Sequence, residues 1–415
     1  MKQPTPHTPV SAKSLRGWKY LRLLHPLLDR LHDVGTKRDH AGNRTLHFDY
    51  YCALVLLMLF NPIMRSLHSI QRASKLKKVQ KKLGCPRTSL GSLSESVTVF
   101  DPERLKEIIG ELSSQLQVHG RDKRLDNVRG SITLVDGTLL AALPRMAEAS
   151  LLKGETGSGL VKWHLHTHFE VDRYVPTRID VTRQGGGVCD ERAVLERSVA
   201  SDHLYVMDRG YAKFALFNQI VAADSSYVCR IRDNSVYDVV EDRPLTEAAR
   251  AERVLHDAVI TLGVGSAKET RPDHRIRLIT IQCKPHRKAG RSQRYSRAGS
   301  TGPACDGVLR LATNLLDVPA EIIALLYHER WTIEIFFRFF KQILGCRHLL
   351  SHSQRGIEIE TYCAIIACML INLWTGKKPT LATREMLFWY FIGMADLDEL
   401  MEHIASLQKK DDAQK

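Results

Sequence analysis

The sequence lacks the patterns that mark disulfide-stabilised, zinc-binding and membrane proteins. Its nine cysteines are scattered, with no C-x-x-C pair and no short spacing that suggests zinc, so we expect neither a disulfide framework nor a cysteine zinc site. The N-terminal residues are polar and basic, unlike a secretory signal. The two longest apolar runs, residues 50–60 and 363–374, are too short to span a bilayer. We therefore expect a cytoplasmic protein without a membrane partner.

Positive charge is what the chain has in excess. Its 60 Lys and Arg exceed its 46 Asp and Glu, which gives a formal net charge of +14 over 415 residues. Such an excess favours a polyanionic partner, nucleic acid ahead of an anionic membrane, although a merely soluble basic protein is the alternative. The densest positive run is either a DNA-binding surface or a solvated charged face. Its candidate DNA-binding residues are Lys77, Lys78, Lys81, Lys82 and Arg87.

Periodic patterns divide the first half of the chain into a helical region and a mixed α/β region. Residues 1–125 are predicted to be helical, and Asp101 and Pro102 are predicted to start a helix with one apolar face. Residues 126–234 predict three strands, a helix, a strand, a helix and a strand. The three successive strands indicate hairpins and the later alternation indicates crossovers, so we expect an α/β domain.

Residues 235–305 are predicted to form a β-rich segment that ends in a Gly-, Ser- and Arg-rich stretch. This stretch contains Arg291 and Arg294, and we expect a mobile basic loop that contacts DNA. Helices are predicted to resume near Pro319 and to continue to the end of the chain. The helical residues 351–415 are a candidate dimerisation region.

Acidic, basic and phenolic side chains recur along the apolar segment that begins at Tyr327. If the segment is one helix, Tyr327, Arg330, Glu334 and Lys341 lie within a sector of roughly 60°. The spacing of Arg330 and Glu334 also allows an ordinary i,i+4 ion pair, but such a pair leaves the tyrosine and the lysine unexplained. We interpret the arginine and the lysine as phosphate ligands, and the tyrosine as a phosphate donor or a stacking partner for a base.

Two aspartates, Asp136 and Asp208, stand at the predicted ends of apolar strands. Each by itself is more simply explained as a residue that starts a turn. Together with Glu334 they offer three carboxylates, enough to hold two divalent cations for phosphodiester chemistry. Carboxylate oxygens are hard ligands that suit Mg²⁺ or Mn²⁺. A weaker candidate, for zinc, is formed by three alternating histidines on one predicted strand: His164, His166 and His168.

The spacing Tyr-x2-Arg-x3-Glu-x6-Lys resembles the YREK signature of bacterial insertion-sequence DDE transposases of the IS-four group. All four positions are present, and "VDGT" and "MDRGY" resemble the surroundings of that family's two catalytic aspartates. The resemblance implies an RNase H-like (ribonuclease H-fold) catalytic domain with a β-rich insertion, flanked by helical regions. The implied catalytic and metal-binding triad is Asp136, Asp208 and Glu334. The implied DNA contacts are Tyr327, Arg330, Trp331 and Lys341.

The resemblance also implies a domain order and an activity. The triad spacings, 208 − 136 = 72 and 334 − 208 = 126, leave room for an insertion in the second interval. The catalytic domain would then comprise residues 126–234 and 306–350, with residues 235–305 inserted. The expected activity is cut-and-paste DNA transposition with Mg²⁺, for which Mn²⁺ could substitute, and without ATP. The expected partners are double-stranded DNA, as terminal inverted repeats and as target, and a second copy of the chain.

Two other functions are compatible with the same residues. A catalytically silent relative would bind DNA and act as a regulator or inhibitor of transposition, but the presence of all three carboxylates argues against it. A nuclease would share the triad and would differ only by yielding no joined DNA products.

Overall fold

The structure, a computed structural model, contains helices packed around one mixed sheet. It describes residues 25–34, 43–61, 63–116, 118, 122–142, 161–183, 185–265, 271–283, 307–343, 350–351, 353–376, 378 and 380–414. The helices are α1 (His25–Leu28), α2 (Phe48–Leu59), α3 (Leu67–Ser74), α4 (Lys77–Leu83), α5 (Leu90–Val99), α6 (Glu103–Gln115), α7 (Glu191–Glu196), α8 (Phe214–Ala222), α9 (Glu247–Ala251), α10 (Ala320–His328), α11 (Trp331–Ile343), α12 (Gln354–Thr375), α13 (Leu381–Ile392) and α14 (Leu397–Gln414).

The strands of the described residues form a single sheet. They are β1 (Ser131–Ala142), β2 (Val161–Glu170), β3 (Val175–Arg183), β4 (His203–Met207), β5 (Ser226–Arg230), β6 (Tyr237–Asp242), β7 (Val254–Leu262), β8 (Ile276–Gln282) and β9 (Val308–Thr313). Their order across the sheet is β3-β2-β1-β4-β5-β9-β8-β7-β6. Strands β1, β2 and β3 pair antiparallel, whereas β4 and β5 continue parallel to β1. The expected hairpins and crossovers are therefore present.

Strands β6 to β9 extend this sheet by antiparallel pairing. Strand β9 lies between β5 and β8, and β7 lies between β8 and β6. The sequence patterns predicted β7 and β8 but not β9, which pairs with a strand more than 80 residues earlier, as in Val228 with Thr313. Strands on both sides of the predicted domain boundaries, at residues 235 and 306, thus belong to the same sheet. The division of the chain into four regions stays a prediction.

Both faces of the central strands are buried, whereas the edge strand β6 is largely exposed. In β4, Leu204 and Val206 belong to a large core shared with the N-terminal and C-terminal helices. Tyr205 and Met207, which alternate with them, belong to a smaller core that includes Phe217 of α8. Because successive side chains of a strand point to opposite faces, this alternation places helices on both sides of the central strands, as is typical of parallel crossovers.

Helix α12 packs the helical regions onto the sheet. The Ser353 hydroxyl accepts the Gly356 N–H at its start, and Gly376 ends it with a left-handed φ of 64°. The helix packs against α2, α6 and β3. Among the described residues, Gln354–Leu373 is the stretch long and apolar enough to cross a membrane, but 89% of its apolar window is buried within the fold. The apolar run at residues 363–374 is thus part of a longer core helix than the sequence suggested.

Helix α6 follows the predicted pattern closely. It begins at Glu103, one residue later than expected, and the Asp101 carboxylate accepts the Glu103 N–H at 3.2 Å. The carboxylate therefore satisfies one of the N–H groups that a helix start leaves without a partner. The predicted apolar face is buried throughout and consists of Leu105, Ile108, Ile109, Leu112 and Leu116.

The segment from Tyr327 to Lys341 is not one helix, and that prediction was wrong. Helix α10 ends at His328 and α11 begins at Trp331. Between them the Arg330 N–H donates to the Tyr327 carbonyl at 3.2 Å, an i→i+3 bond that tightens the chain relative to an α-helix. A constant 100° rotation per residue therefore does not apply across this turn. The side chains before and after it meet because of the bend and not because they share one helix face.

Candidate active site

The two aspartates lie next to each other at one edge of the central strands. Strands β1 and β4 run parallel, and the last residues they pair are Val135 and Met207. Asp136 directly follows Val135 and Asp208 directly follows Met207, so the strand register places the two aspartates side by side. Asp136 does not end its strand as predicted, because β1 continues to Ala142 by pairing with β2 alone.

Arg330 connects the carboxylates of this edge to helix α11. Its Nη2 donates to Glu334 Oε1 at 2.7 Å, and its Nη1 donates to Asp136 Oδ2 at 3.4 Å. The Tyr327 hydroxyl donates to Asp208 Oδ1 at 3.1 Å. The i,i+4 pair of Arg330 and Glu334 is thus present, but the same guanidinium also reaches a residue 194 positions earlier. The structure brings together all five of these side chains.

Burial and mutual charge shape the protonation of the cluster. Burial raises the pKa of Asp136 to about 6, against the opposing effect of Arg330. Burial, followed by the charge of Asp208, raises the pKa of Tyr327. Burial alone would lower the pKa of Arg330, but its phenolic and carboxylate neighbours outweigh that effect and raise it. The arginine therefore remains charged inside a poorly solvated acidic site.

The chemical type of the donors in this cluster fits a divalent cation, although their spacing in this conformation does not. Asp136, Asp208 and Glu334 supply only carboxylate oxygens, which are the ligands that Mg²⁺ and Mn²⁺ prefer. Within the described residues, no three His, Cys, Asp or Glu side chains are arranged closely enough to hold a metal ion. The guanidinium of Arg330 supplies the positive charge among the carboxylates in this conformation. The same carboxylate oxygens cannot serve the guanidinium and a metal ion fully at the same time.

Two further predicted residues lie on α11. Trp331 is half exposed, and the Arg330 guanidinium carbon lies 6.0 Å from the centre of its ring. Lys341 follows Glu334 by seven residues, which corresponds to roughly 10 Å along a helix. A half-exposed aromatic ring therefore lies beside Arg330 where α11 begins, and the lysine lies about two turns further along the same helix.

The predicted basic run forms an exposed surface in the helical region. Helix α4 buries Val79 and Leu83, which anchor it and turn its polar side chains outward. Every candidate of this run in the described chain is exposed, namely Lys77, Lys78, Lys81, Lys82 and Arg87. Arg291 and Arg294 lie outside the described residues.

The alternating histidines have partners other than a metal. The His166 ring bonds to the Thr182 hydroxyl at 2.8 Å, and the His168 ring bonds to the Ser198 hydroxyl at 3.2 Å. Burial lowers the pKa of both rings to about 4, so both are neutral near pH 7. His164 is paired differently, with a carboxylate, and in the described residues no zinc-like cluster surrounds it.

Arg230 is a site neighbour that sequence reasoning missed. Its Nη1 lies 4.0 Å from Asp208 Oδ1, and its side chain is 7% exposed. Strand β5 pairs Cys229 with Met207, so Arg230 follows at the same edge as the two aspartates. A charged residue at the end of a buried apolar strand was the available signal, but its relevance depends on the parallel register, which the sequence does not reveal.

The chain is similar to a known protein family and to several known proteins. A family model described as a transposase DDE domain matches residues 129–370. A putative transposase of Sinorhizobium fredii is 26% identical over 212 residues, which cover 50% of this chain and 52% of that protein. A probable transposase for an insertion sequence element of Geobacillus stearothermophilus is 24% identical over 240 residues, or 56% of each chain. This chain thus spans about half the length of these curated relatives.

The chain also has a shorter match to a third relative and a weak structural match. A putative transposase for an insertion sequence element of Synechocystis is 34% identical over 76 residues, covering 17% of this chain and 22% of that protein. The piggyBac transposase in its synaptic complex with hairpin DNA has a TM-score of 0.41 and 9% identity. That match covers 97% of this chain and 88% of that chain.

Proposed function

Because this chain belongs to the transposase DDE domain family, whose model matches residues 129–370, we propose that it is a DNA transposase of an insertion sequence. It binds terminal inverted repeats and catalyses metal-dependent cut-and-paste transposition, that is, DNA end cleavage and strand transfer. The observation that carries this proposal is the convergence of Asp136, Asp208 and Glu334 around Arg330. Three chain segments far apart in sequence meet there.

The catalytic fold that we propose is RNase H-like. Its support is the order β3-β2-β1-β4-β5, with three antiparallel strands followed by two parallel crossover strands. In this proposal residues 126–234 and 306–350 form the catalytic domain. Strands β6 to β8 belong to the inserted residues 235–305.

The chemistry proposed for the site depends on a divalent cation, as membership of this family implies. Asp136, Asp208 and Glu334 would hold such ions, which would supply positive charge for activating the attacking oxygen and stabilising the leaving oxygen of a phosphodiester; we propose Mg²⁺, with Mn²⁺ as a substitute. One phosphodiester is exchanged for another during strand transfer, so no ATP is required. The carboxylates must be ionised to act as ligands, and Arg330 helps to keep Asp136 ionised despite its burial.

We propose that the residues around the carboxylates exchange partners when DNA arrives. A phosphate offers Arg330 a bidentate acceptor, and its departure frees Asp136 and Glu334 for a cation. The Tyr327 hydroxyl can turn from Asp208 to a phosphate oxygen. Lys341 contributes a point charge to the backbone, and the exposed Trp331 ring can stack on a base.

The DNA-binding surface that we propose outside the site is helix α4 and the segment after it. Its exposed residues Lys77, Lys78, Lys81, Lys82 and Arg87 match the negative charge of a DNA backbone. Arg291 and Arg294 are proposed as further contacts. Joining two transposon ends requires a homodimer on DNA, and we propose residues 351–415 as its contact region. The proposed location is the cytoplasm.

Cleavage of labelled DNA tests the proposal. The DNA carries the inverted repeats that flank the gene, and the reaction runs with Mg²⁺, Mn²⁺ or a chelator. The native protein is compared with Asp136→Ala, Glu334→Gln and a control, Glu196→Gln. The control changes a carboxylate that bonds Lys213 at 2.7 Å and does not contact the cluster.

Each outcome of that assay separates one function from the others. Metal-dependent cuts and joined products in the native protein and the control, absent from both site variants, support the transposase. Cuts without joined products would indicate a nuclease. Repeat-specific binding without cutting in either metal would contradict the enzyme and indicate a DNA-binding regulator.

A further inference from the structure

A carboxylate outside the motif lies between the two aspartate-bearing segments. Glu191 Oε1 lies 2.9 Å from His164 Nε2, and Glu191 is the first residue of α7. Its neighbour Asp190 caps that helix through the Arg192 N–H and also pairs with the Arg192 side chain. Asp190 is thus engaged with Arg192, whereas the Glu191 carboxylate pairs with His164 and acts on Arg192 through its charge.

Two glycines show how close this carboxylate is to the active site. A Cβ atom on Gly137, the residue after Asp136, would collide with His164 Nε2 and would lie 3.1 Å from Glu191 Oε1. A Cβ atom on Gly210, two residues after Asp208, would lie 3.3 Å from Glu191 Oε2. The two oxygens of one carboxylate therefore contact the segments that follow both aspartates.

The electrostatics of the neighbouring groups agree with that position. After burial, which has the larger effect, the charges of Asp208 and Glu191 both raise the pKa of Asp136. The Tyr211 hydroxyl is buried without a hydrogen-bond partner in the described residues. Burial, followed by the charges of Glu191 and Asp136, raises its pKa. Negative charge from Glu191 is therefore felt at the site and is not fully compensated there.

A structural role alone does not account for this arrangement. A partly exposed His–Glu pair contributes little to stability, and the side chains here are 16% and 34% exposed. Placing another negative charge beside two acidic residues costs energy unless a cation joins them. Magnesium and manganese keep several of their waters, and carboxylates beyond the direct ligands affect metal affinity by accepting hydrogen bonds and supplying charge.

We propose that Glu191 is a fourth carboxylate of the cation-binding site, positioned by His164, and that its charge strengthens divalent-cation binding. This inference rests on the proposed function, because it assumes the cation site formed by Asp136, Asp208 and Glu334. It adds a residue from the helix between β3 and β4 that the YREK motif does not contain.

Binding of Mn²⁺ to the full-length, DNA-free protein tests this inference, with free Mn²⁺ measured by electron paramagnetic resonance. Glu191→Gln keeps the shape and an acceptor for His164 but removes the charge, and we expect about tenfold weaker binding. Glu196→Gln, on the same helix, should bind as the native protein does. His164→Phe keeps a flat ring without a donor, and it should weaken binding less than Glu191→Gln does.

Asp136→Asn separates failure of this inference from failure of the proposed function. If Asp136→Asn loses Mn²⁺ binding while Glu191→Gln binds normally, Glu191 has only a structural role and the inference is overturned. If Asp136→Asn also binds normally, or the native protein takes up no Mn²⁺, the cation site itself is wrong. Circular dichroism and thermal unfolding establish that each variant is folded. If Glu191→Gln does not fold, an unchanged affinity in folded His164→Phe would overturn the inference.

Discussion

Two arginines that pair with carboxylates differ in how completely their donors are bonded in this protein. Arg277 on β8 pairs with Asp257 on β7 through two bonds of 2.8 and 2.7 Å, and its third nitrogen donates to the carbonyls of Leu315, Leu316 and Val318. Both side chains are 5% exposed or less. Arg330 instead makes one hydrogen bond to Glu334 and one to Asp136. Its Nε has no hydrogen-bond partner in the described residues.

This difference separates a permanent ion pair from one that can be exchanged. Arg277 has its donors satisfied in a planar, bidentate arrangement, so no outside ligand can improve its bonding. Arg330 holds one short and one long bond and leaves a buried donor without a partner, which costs free energy. A phosphate would offer it a better set of acceptors. Incomplete bonding at Arg330 is therefore consistent with a ligand site.

The largest expected effect is on stability, at the permanent pair. Arg277→Ala leaves the Asp257 carboxylate buried without a counter-ion, so the free energy of unfolding should fall by about 3–5 kcal/mol. Urea denaturation followed by circular dichroism measures this change. Arg275→Ala, an exposed arginine of the same segment paired with Glu241, is the matched control and should change stability little. Equal stability of the two variants would contradict the comparison.

The next effect is on activity, at the exchangeable arginine. Arg330→Ala should lower DNA cleavage by about 100-fold, the typical effect of losing one donor to a reacting group, with little loss of stability. Its DNA-free form should bind Mn²⁺ more tightly, because the carboxylates lose their internal counter-ion. Arg330→Lys should restore charge but not the two-pronged geometry and should remain impaired. Weaker Mn²⁺ binding in Arg330→Ala would show that Arg330 does not compete with the cation.

A third effect concerns a buried carboxyl with no cation beside it among the described residues. Glu360 is 2% exposed, accepts the Leu350 N–H at 2.8 Å, and has its pKa raised by burial to about 8. The folded state thus holds this proton more tightly than the unfolded state, where the pKa is near 4.5. Its stabilisation is complete below about pH 4.5 and is lost as the pH rises through about 8.

Thermal unfolding from pH 5 to pH 9 tests the direction of this pH dependence of stability. The melting temperature of Glu360→Gln, measured relative to the native protein, should rise with pH over this range. Glu358→Gln on the same helix is the control. Its relative melting temperature should change less with pH, because Glu358 is partly exposed. A relative melting temperature of Glu360→Gln that stays level with pH would mean that Glu360 is ionised in the folded protein.

The smallest effect is expected at the exposed surface of α4. Lys81→Ala combined with Lys82→Ala removes two phosphate contacts, so the slope of log affinity against log salt should become shallower by about 1.8. Fluorescence anisotropy of labelled repeat DNA between 50 and 200 mM salt, approximately the range over which such contacts weaken, measures it. Lys213→Ala is the control, since that lysine pairs with Glu196. An unchanged slope in the double variant would assign these lysines to a merely solvated face.

Local patterns predicted much of the fold. The alternation of apolar residues predicted β1 to β5, β7 and β8, and the spacing of apolar residues in α6 predicted its buried face. These predictions succeed because the period of a strand or helix is a property of a few neighbouring residues. Strand β9 and the break between α10 and α11 were missed. Both depend on partners far along the chain, and the second lies in an apolar segment whose composition alone favours an unbroken helix.

The residues of the site were predictable in part for the same reason. The four positions of the YREK motif lie within 15 residues, so their spacing is visible in the sequence. Arg230 and Glu191 were not identified, because only the parallel register of β4 and β5, and the packing of α7 against β2, bring them to Asp208 and Asp136. Their roles, like those of the predicted triad, stay proposals until the variants are measured.

The sequence by itself determined which residues are the candidates for the chemistry. Residue types, charges and local spacings are written directly in the chain, and they identified three carboxylates, a phenol and two cations as the candidates. Only the tertiary structure decided that Arg330 stands among those carboxylates and that Glu191 contacts the segments that follow Asp136 and Asp208. Such relations arise from strand register and helix packing, which join residues as many as 194 positions apart and are fixed by burial of the whole core.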